Sequence, residues 1–146
     1  MKSRVELDIN GPQAEVAELF ADPRRNPEWM DDIARIEAVS GELGQPGSVY
    51  RMVPKKSGAM EFVATVVRRV LPTQVSLSLN TEGVSVAITD TFRKVSDTTT
   101  RLISEEVFSF RGRLGKLIGL VSGPMIRRAH RQHMESFKRY AERATS

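Results

Sequence analysis

The sequence contains no cysteine, one tryptophan and two tyrosines among its 146 residues. Without cysteine, the chain has no disulfide, no thiol nucleophile and no thiolate ligand for zinc. It also lacks an apolar run of about 18 residues, which a membrane-spanning helix would need. Residues 1–10 alternate between polar and apolar side chains and hold no apolar block of the signal-peptide kind. We therefore expect a cytoplasmic location.

A chain of this length can bury one hydrophobic core, so we expect residues 1–146 to form a single domain. Its net charge of +4 is unevenly distributed, because nine Lys and Arg against two Glu follow from Arg111 onward. Such a segment is typical of a solvated helix face, or of a surface that meets anionic lipid or nucleic acid. Its basic residues are not interleaved with exposed aromatic residues, which argues against single-stranded nucleic acid. We expect no nucleic-acid partner and at most a weak contact with anionic membrane.

Hydrophobic periodicity predicts one strand and two short helices at the start of the chain. Residues 1–10 have the alternation of a half-buried strand. A helix is predicted from Pro12, a residue favoured in the first turn, to about Phe20. A second helix follows Asp22, a good N-cap residue, and Pro27 keeps it short.

The central part of the sequence switches to a period of two. Six strands are predicted, at Ile36–Leu43, Ser48–Pro54, Met60–Leu71, Gln74–Asn80, Val84–Val95 and Thr99–Phe110. Short turns join them, which favours an antiparallel meander over a parallel sheet. A final helix extends to about Arg143, with a kink or break expected at Gly123-Pro124. The fold class is therefore α+β, with a curved seven-stranded antiparallel sheet wrapped around a long C-terminal helix.

Three stretches carry a resemblance to a known superfamily. They are DPRRNPEWMDDIARIEAVSG, GQPGSVYRM and HMESFKRYAER. With the order of elements, they resemble the START-related SRPBCC superfamily, and most of all its polyketide cyclase/dehydrase and lipid-transport branch. In that branch a tryptophan commonly follows the short second helix, and Trp29 has this position here. The closing helix of the branch often ends in the pattern apolar-Lys-x-x-Ala-Glu, which corresponds here to the segment from Phe137 through Ala141 to Glu142.

The resemblance implies a helix-grip fold with an apolar cavity between the sheet and the long helix. Members bind or carry lipids, sterols, polyketides, quinones or hormones, and some catalyse cyclisation or dehydration. No catalytic set is common to all of them, so none is transferred here by motif. The expected function is binding or transport of a lipid-, polyketide- or isoprenoid-like molecule, and the alternative is a polyketide cyclase or dehydratase. The expected partner is that small molecule, with no cofactor.

The alternation of side chains along strands adds a set of candidate cavity residues. In each strand, every second residue lies on the same face, and we assign the face that carries most of the apolar residues to the interior. The strand from Met60 is apolar on both faces, so its inner face cannot be assigned in this way. Together with two positions on the final helix and the tryptophan, the set is Trp29, Tyr50, Met52, Leu77, Leu79, Val86, Ile88, Asp90, Ser104, Glu106, Phe108, His130 and Met134.

Two carboxylates, Asp90 and Glu106, fall in the apolar phase of neighbouring strands. A buried carboxylate is costly unless it is paired, and burial raises its pKa. One interpretation is a functional group, which orients a ligand or acts as a general acid together with Tyr50 or His130. The other is structural, with an ion pair across the sheet or a bulge that turns the acids to water.

His130 and His133, the only two histidines, lie three residues apart on the final helix. Zinc would need a third ligand and the sequence has no HExxH motif, so we expect no metal. We expect a buried ring at the cavity wall, hydrogen-bonded to Tyr50, Asp90 or Glu106, or a histidine satisfied within the core. Trp29 is equally compatible with core packing and with the rim of a cavity.

Overall fold

The computed structural model describes the backbone of residues 1–146 and every side chain except that of Val121. Its strands are β1 (Lys2–Asn10), β2 (Ile33–Ser40), β3 (Val49–Pro54), β4 (Phe62–Val70), β5 (Gln74–Thr81), β6 (Val84–Ser96) and β7 (Thr99–Phe110). Its helices are α1 (Gln13–Ala21), α2 (Asn26–Trp29), α3 (Gly112–Val121) and α4 (Gly123–Thr145), with a 3-10 turn at Pro23–Arg25. None of the described helices is both long and apolar enough to cross a membrane.

The seven strands form one antiparallel sheet in the order β1-β7-β6-β5-β4-β3-β2. The first and second strands therefore lie at opposite edges, and α1 and α2 carry the chain between them. Helix α4 packs across the concave face, where His130, Phe137 and Tyr140 are buried. The α+β helix-grip architecture expected from the sequence is confirmed.

Strands β6 and β7 pair without interruption through the two acids. Their register runs evenly from Val84 opposite Phe110 to Lys94 opposite Thr100, and the register shift lies beyond, between Lys94 and Ser96. The pairing therefore contains no bulge that would turn the acids to water, and that part of the structural interpretation was wrong. Both carboxylates remain on the inner face, as the alternation predicts.

Two of the predicted central strands differ from their observed bounds by more than one residue. Strand β2 begins at Ile33 rather than Ile36, because the buried Ile33 side chain pairs opposite Pro54 on β3. It ends at Ser40 rather than Leu43, because a turn closed by a hydrogen bond from Gln45 to the carbonyl of Glu42 follows. Strand β4 begins at Phe62 rather than Met60. Because both of its faces are apolar, its buried face is known only from its pairing with β3.

The expected interruption of the final helix is a break between two helices. Helix α3 ends at Val121 and α4 begins at Gly123, with Ser122 between them. Pro124 then occupies the first turn of α4, where its missing N–H breaks no helical hydrogen bond.

An aromatic cluster joins the helices at one end of the sheet. The ring of Phe20 lies 5.5 Å from that of Trp29, 4.9 Å from that of Phe137 and 5.4 Å from that of Phe92. Aromatic pairs at such distances add about 0.5–1.5 kcal/mol each beyond burial. The cluster fixes α1, α2 and α4 on the concave face, and the remainder of that face lines a cavity.

Candidate functional site: a cavity between the sheet and the long helix

A cavity of about 530 Å³ lies between the concave face of the sheet and α4. All thirteen residues selected from the sequence lie on its wall. Most of the wall is apolar, and the cavity volume falls in the range of about 300–1,000 Å³ common to small-molecule sites. The phase of the strands, which sets the inner face, explains why these side chains meet.

Several wall residues were not selected from the sequence. Phe62 and Val66 come from β4, whose phase could be read only from its pairing, with Ala64 opposite Tyr50. Others belong to loops or to the helices, where strand alternation gives no signal. They include Asn26, Met30, Asp32, Lys55, Lys56, Ile126, Ala129 and His133.

One group of polar side chains lies on β1, β7 and β6, where β6 and β7 form part of the cavity wall. Asp90 lies opposite Ser104, and Glu106 lies opposite Ser3, in adjacent rows of the sheet. Helix α4 places His130 against this group, with its ring buried. We call these five residues, Ser3, Asp90, Ser104, Glu106 and His130, the polar cluster.

His130 is held by two serine hydroxyls. Its Nδ1 lies 2.8 Å from Ser3 Oγ, and its Nε2 lies 2.8 Å from Ser104 Oγ. The nearer oxygen of Glu106 is 3.7 Å from Nδ1. Burial lowers the pKa of His130 to about 4, so the ring is neutral and donates through one nitrogen while it accepts through the other. The expected hydrogen bond to Tyr50, Asp90 or Glu106 is not formed, and the two serine hydroxyls take its place.

Asp90 is fully buried, and its carboxyl group has no hydrogen-bond partner among the described side chains. Burial raises its pKa to about 8, so at neutral pH this group is mainly the protonated acid. The neighbouring Ser104 hydroxyl lowers the pKa of Asp90 and so opposes part of this rise, although it forms no well-directed hydrogen bond to the carboxyl group. A protonated carboxyl group that faces a cavity can donate a hydrogen bond to a guest.

Glu106 lies closer to the cavity opening, with 15% of its side chain exposed. Burial raises its pKa to about 7, and the charge of His133 opposes that rise. Glu106 therefore exists as a mixture of acid and carboxylate near neutral pH. Such a group can both accept and return a proton.

Tyr50 and Trp29, two of the three aromatic residues of the candidate set, lie outside the polar cluster. Tyr50 is on β3, three strands from Asp90, and burial raises its pKa to about 12, so it is a hydrogen-bond donor rather than a base. Trp29 is 5% exposed and packs on Phe20 and Phe137 while it also lines the cavity. The alternatives of core and cavity wall both hold for this residue. Its indole N–H has no acceptor among the described residues.

Charged side chains surround the more exposed part of the cavity. His133 Nε2 on α4 lies 3.4 Å from the carboxylate of Asp32, which precedes β2. Hydrogen bonding within this pair lowers the pKa of Asp32 and raises the pKa of His133. Lys55 and Lys56, in the loop between β3 and β4, are exposed beside them. Within the described part of the chain, no three His, Asp or Glu side chains are grouped as a metal site requires.

The fold is shared with solved structures of low sequence identity. A protein from Thermus thermophilus has a TM-score of 0.80 at 14% identity, covering 100% of both chains. The Zhui aromatase/cyclase from Streptomyces sp. R1128 has a TM-score of 0.80 at 13% identity, covering 100% of this chain and 96% of that one. A START superfamily protein from Mycobacterium smegmatis has a TM-score of 0.74 at 14% identity, covering 99% and 96%. Identities this low establish the fold alone.

The sequence itself matches a family model over nearly its whole length. Residues 1–142 match the model described as polyketide cyclase/dehydrase and lipid transport. Among curated protein sequences, none matches this chain. The chain therefore belongs to the polyketide cyclase/dehydrase and lipid-transport family, and it has the START-like helix-grip fold.

Proposed function

We propose that this chain binds an apolar small molecule that carries a carbonyl or hydroxyl group at one end. The observation that carries the proposal is the unpartnered, fully buried carboxyl group of Asp90 on the wall of a cavity that is otherwise largely apolar. A buried polar group without a partner costs about 1–3 kcal/mol, which a matching guest group would recover.

The arrangement of the wall gives the guest a direction. Its polar end would lie at the polar cluster, where the protonated Asp90 donates to a carbonyl oxygen or to a hydroxyl oxygen. Its apolar part would lie against Met52, Phe62 and Leu77. Removing apolar surface from water contributes about 25 cal/mol per Å² before the costs of association. Apolar area would therefore set affinity, and the polar cluster would set orientation.

Filling the cavity should abolish binding. Nile red, a neutral apolar dye with one carbonyl group, serves as the probe, and its fluorescence reports transfer from water. In the double variant Leu77→Trp, Leu79→Trp, two added indoles occupy the cavity, and we expect affinity to fall about tenfold or more. The matched control is Val63→Trp, Val67→Trp, which adds two indoles on the exposed face of β4.

Circular dichroism establishes that both double variants are folded. If the first does not fold, Ala129→Trp, on the helical side of the same wall, replaces it. Equal affinity of Nile red for the wild type and a folded cavity-filling variant would refute the proposal.

A cyclase or dehydratase is the second candidate, and Glu106 is the observation that favours it. With a pKa of about 7, it can remove a proton from a carbon next to a carbonyl group. The carbanion then forms a bond to the carbon of a second carbonyl group, whose oxygen takes the proton of Asp90. In a dehydration the resulting hydroxyl would leave as water with the proton now on Glu106, while the Asp90 carboxylate takes the second hydrogen from the attacking carbon, so that both groups return to their starting forms. Acid and base would thus act from neighbouring strands on one bound polyketide chain.

Substituting Glu106→Gln tests this candidate on a linear poly-β-ketone. An enzyme should lose about 10²- to 10⁴-fold in kcat while Nile red affinity stays within about twofold. Glu105→Gln, on the outward face of the same strand, is the control and should leave turnover unchanged. A cyclisation rate equal to that without protein, for wild type and variant alike, would leave binding as the function.

A further inference from the structure

Helix α3 presents its glycines to the protein rather than its leucines. A Cβ atom at Gly115 would collide with the backbone carbonyl of Gly83, and one at Gly119 would lie 2.9 Å from the ring of Phe110. Only glycine permits this close approach of helix to sheet. The orientation of α3 is therefore fixed by the helix face that carries Gly115 and Gly119, which we call the glycine face.

The apolar side chains of α3 consequently face water. Leu114, Leu117 and Leu120 are 57%, 59% and 83% exposed, and Met125, in the first turn of α4, is 68% exposed. These four residues are called the leucine face. Single exposed apolar residues are common, but a helix that turns its leucines outward over successive turns marks an interaction surface.

The charged residues of α3 and of the first turns of α4 all have one sign. Residues 111–134 contain six Lys and Arg and no Asp or Glu. All six are exposed, and they are Arg111, Arg113, Lys116, Arg127, Arg128 and Arg131. An amphipathic helix with leucines at its centre and basic residues around them is typical of proteins that lie on anionic bilayers.

We propose that α3 and the first turns of α4 dock on the surface of an anionic lipid bilayer. The leucine face would enter the boundary between headgroups and acyl chains, and the six basic residues would contact lipid phosphates. A second copy of the chain fits less well, because its own six cations would face these. Nucleic acid would pair with the cations but leave the leucines in water.

This surface adjoins the cavity. Ile126 and Ala129, which line the cavity wall, lie on the same turns of α4 as Arg127 and Arg128. A docked molecule would therefore hold its cavity beside the lipid, where a membrane-dissolved guest could enter. That consequence rests on the proposed function, whereas docking itself does not.

Vesicle cosedimentation of the full chain tests the proposal. The vesicles contain phosphatidylcholine alone or with about 30% phosphatidylglycerol, at about 0.02 M and 0.5 M salt. We expect binding only to the anionic vesicles at low salt. The double variant Leu117→Ser, Leu120→Ser and the double variant Arg127→Glu, Arg128→Glu should each weaken that binding about tenfold or more.

Matched controls lie on the sheet, away from α3. Val67→Ser removes an exposed apolar side chain, and Arg93→Glu with Lys94→Glu reverses two exposed charges on β6. Both should bind vesicles as the wild type does. Retained Nile red affinity in the leucine variant separates a docking defect from a cavity defect.

Three results would overturn the proposal. They are absence of binding to anionic vesicles at low salt, equal losses in the control variants, and a dimer in solution that the leucine substitutions dissociate. The last would assign the leucine face to a second copy of the chain.

Discussion

At the scale of single residues, the molecule keeps two carboxyl groups where ionisation is costly. Asp90 is fully buried, and Glu106 is largely buried one row away. The strand period placed both on the inner face from sequence alone, because alternate residues of a strand share a face. The serine partners of His130 could not be foreseen, because they depend on the position of α4 over β1 and β7.

The raised pKa of Asp90 makes stability depend on pH. Its pKa rises from about 4 in the unfolded chain to about 8 in the folded protein. The folded state therefore retains a proton that the unfolded state releases between those values, and stability falls as pH rises through this window. The variant Asp90→Asn cannot ionise, so we expect it to gain stability relative to wild type as pH rises from 5 to 8, by about 2 kcal/mol or more.

Urea unfolding of both proteins across this pH range measures the difference. Glu105→Gln, on the outward face of β7, is the control and should show no comparable pH-dependent gain. If the Asp90→Asn and wild-type curves stay parallel between pH 5 and pH 8, the carboxyl group is not held in its protonated form.

At the scale of elements, the strands were more predictable than the orientation of the helices. Five of the six strands predicted in the centre of the chain start within two residues of their observed positions, because turns and alternation agree there. The phase of β4 was unreadable, since Val63 and Val67 are exposed while Ala64 and Val66 are buried. The period of α3 puts its leucines on one face but does not say whether that face is turned inward.

The glycine face of α3 predicts an unusual response to Gly→Ala substitution. Alanine ordinarily stabilises a helix over glycine by about 1 kcal/mol. At Gly115 the added methyl group would meet the backbone of Gly83, so we expect Gly115→Ala to destabilise α3 and speed amide hydrogen exchange there. The control is Gly123→Ala, where the nearest neighbour is the flexible end of Arg127, 4.0 Å away.

Hydrogen exchange of α3 amides compares the two substitutions. Faster exchange in Gly115→Ala than in Gly123→Ala would support close packing of α3 on the loop before β6. Equal protection would mean that α3 does not depend on this contact, and the outward orientation of its leucines would lose its physical basis.

At the scale of the whole molecule, fold and cavity follow from one arrangement. A curved antiparallel sheet closes on α4 at the aromatic cluster and leaves the rest of its concave face to line the cavity. The sequence predicted this arrangement because the order of elements leaves few ways to bury the apolar faces. The charged side chains around the more exposed part of the cavity, among them Asp32 and His133, could not be predicted, because their positions depend on the conformation of loops.

The central claim is that a guest occupies the cavity, and Trp29 allows a direct measurement. It is the only tryptophan, so a ¹H–¹⁵N spectrum contains one indole N–H signal, and that residue lies on the cavity wall. We predict that Nile red shifts this signal until one molecule is bound per chain, while amides on the outward face of the sheet remain unchanged. An unmoved indole signal, with shifts confined to the outer surface, would contradict the account.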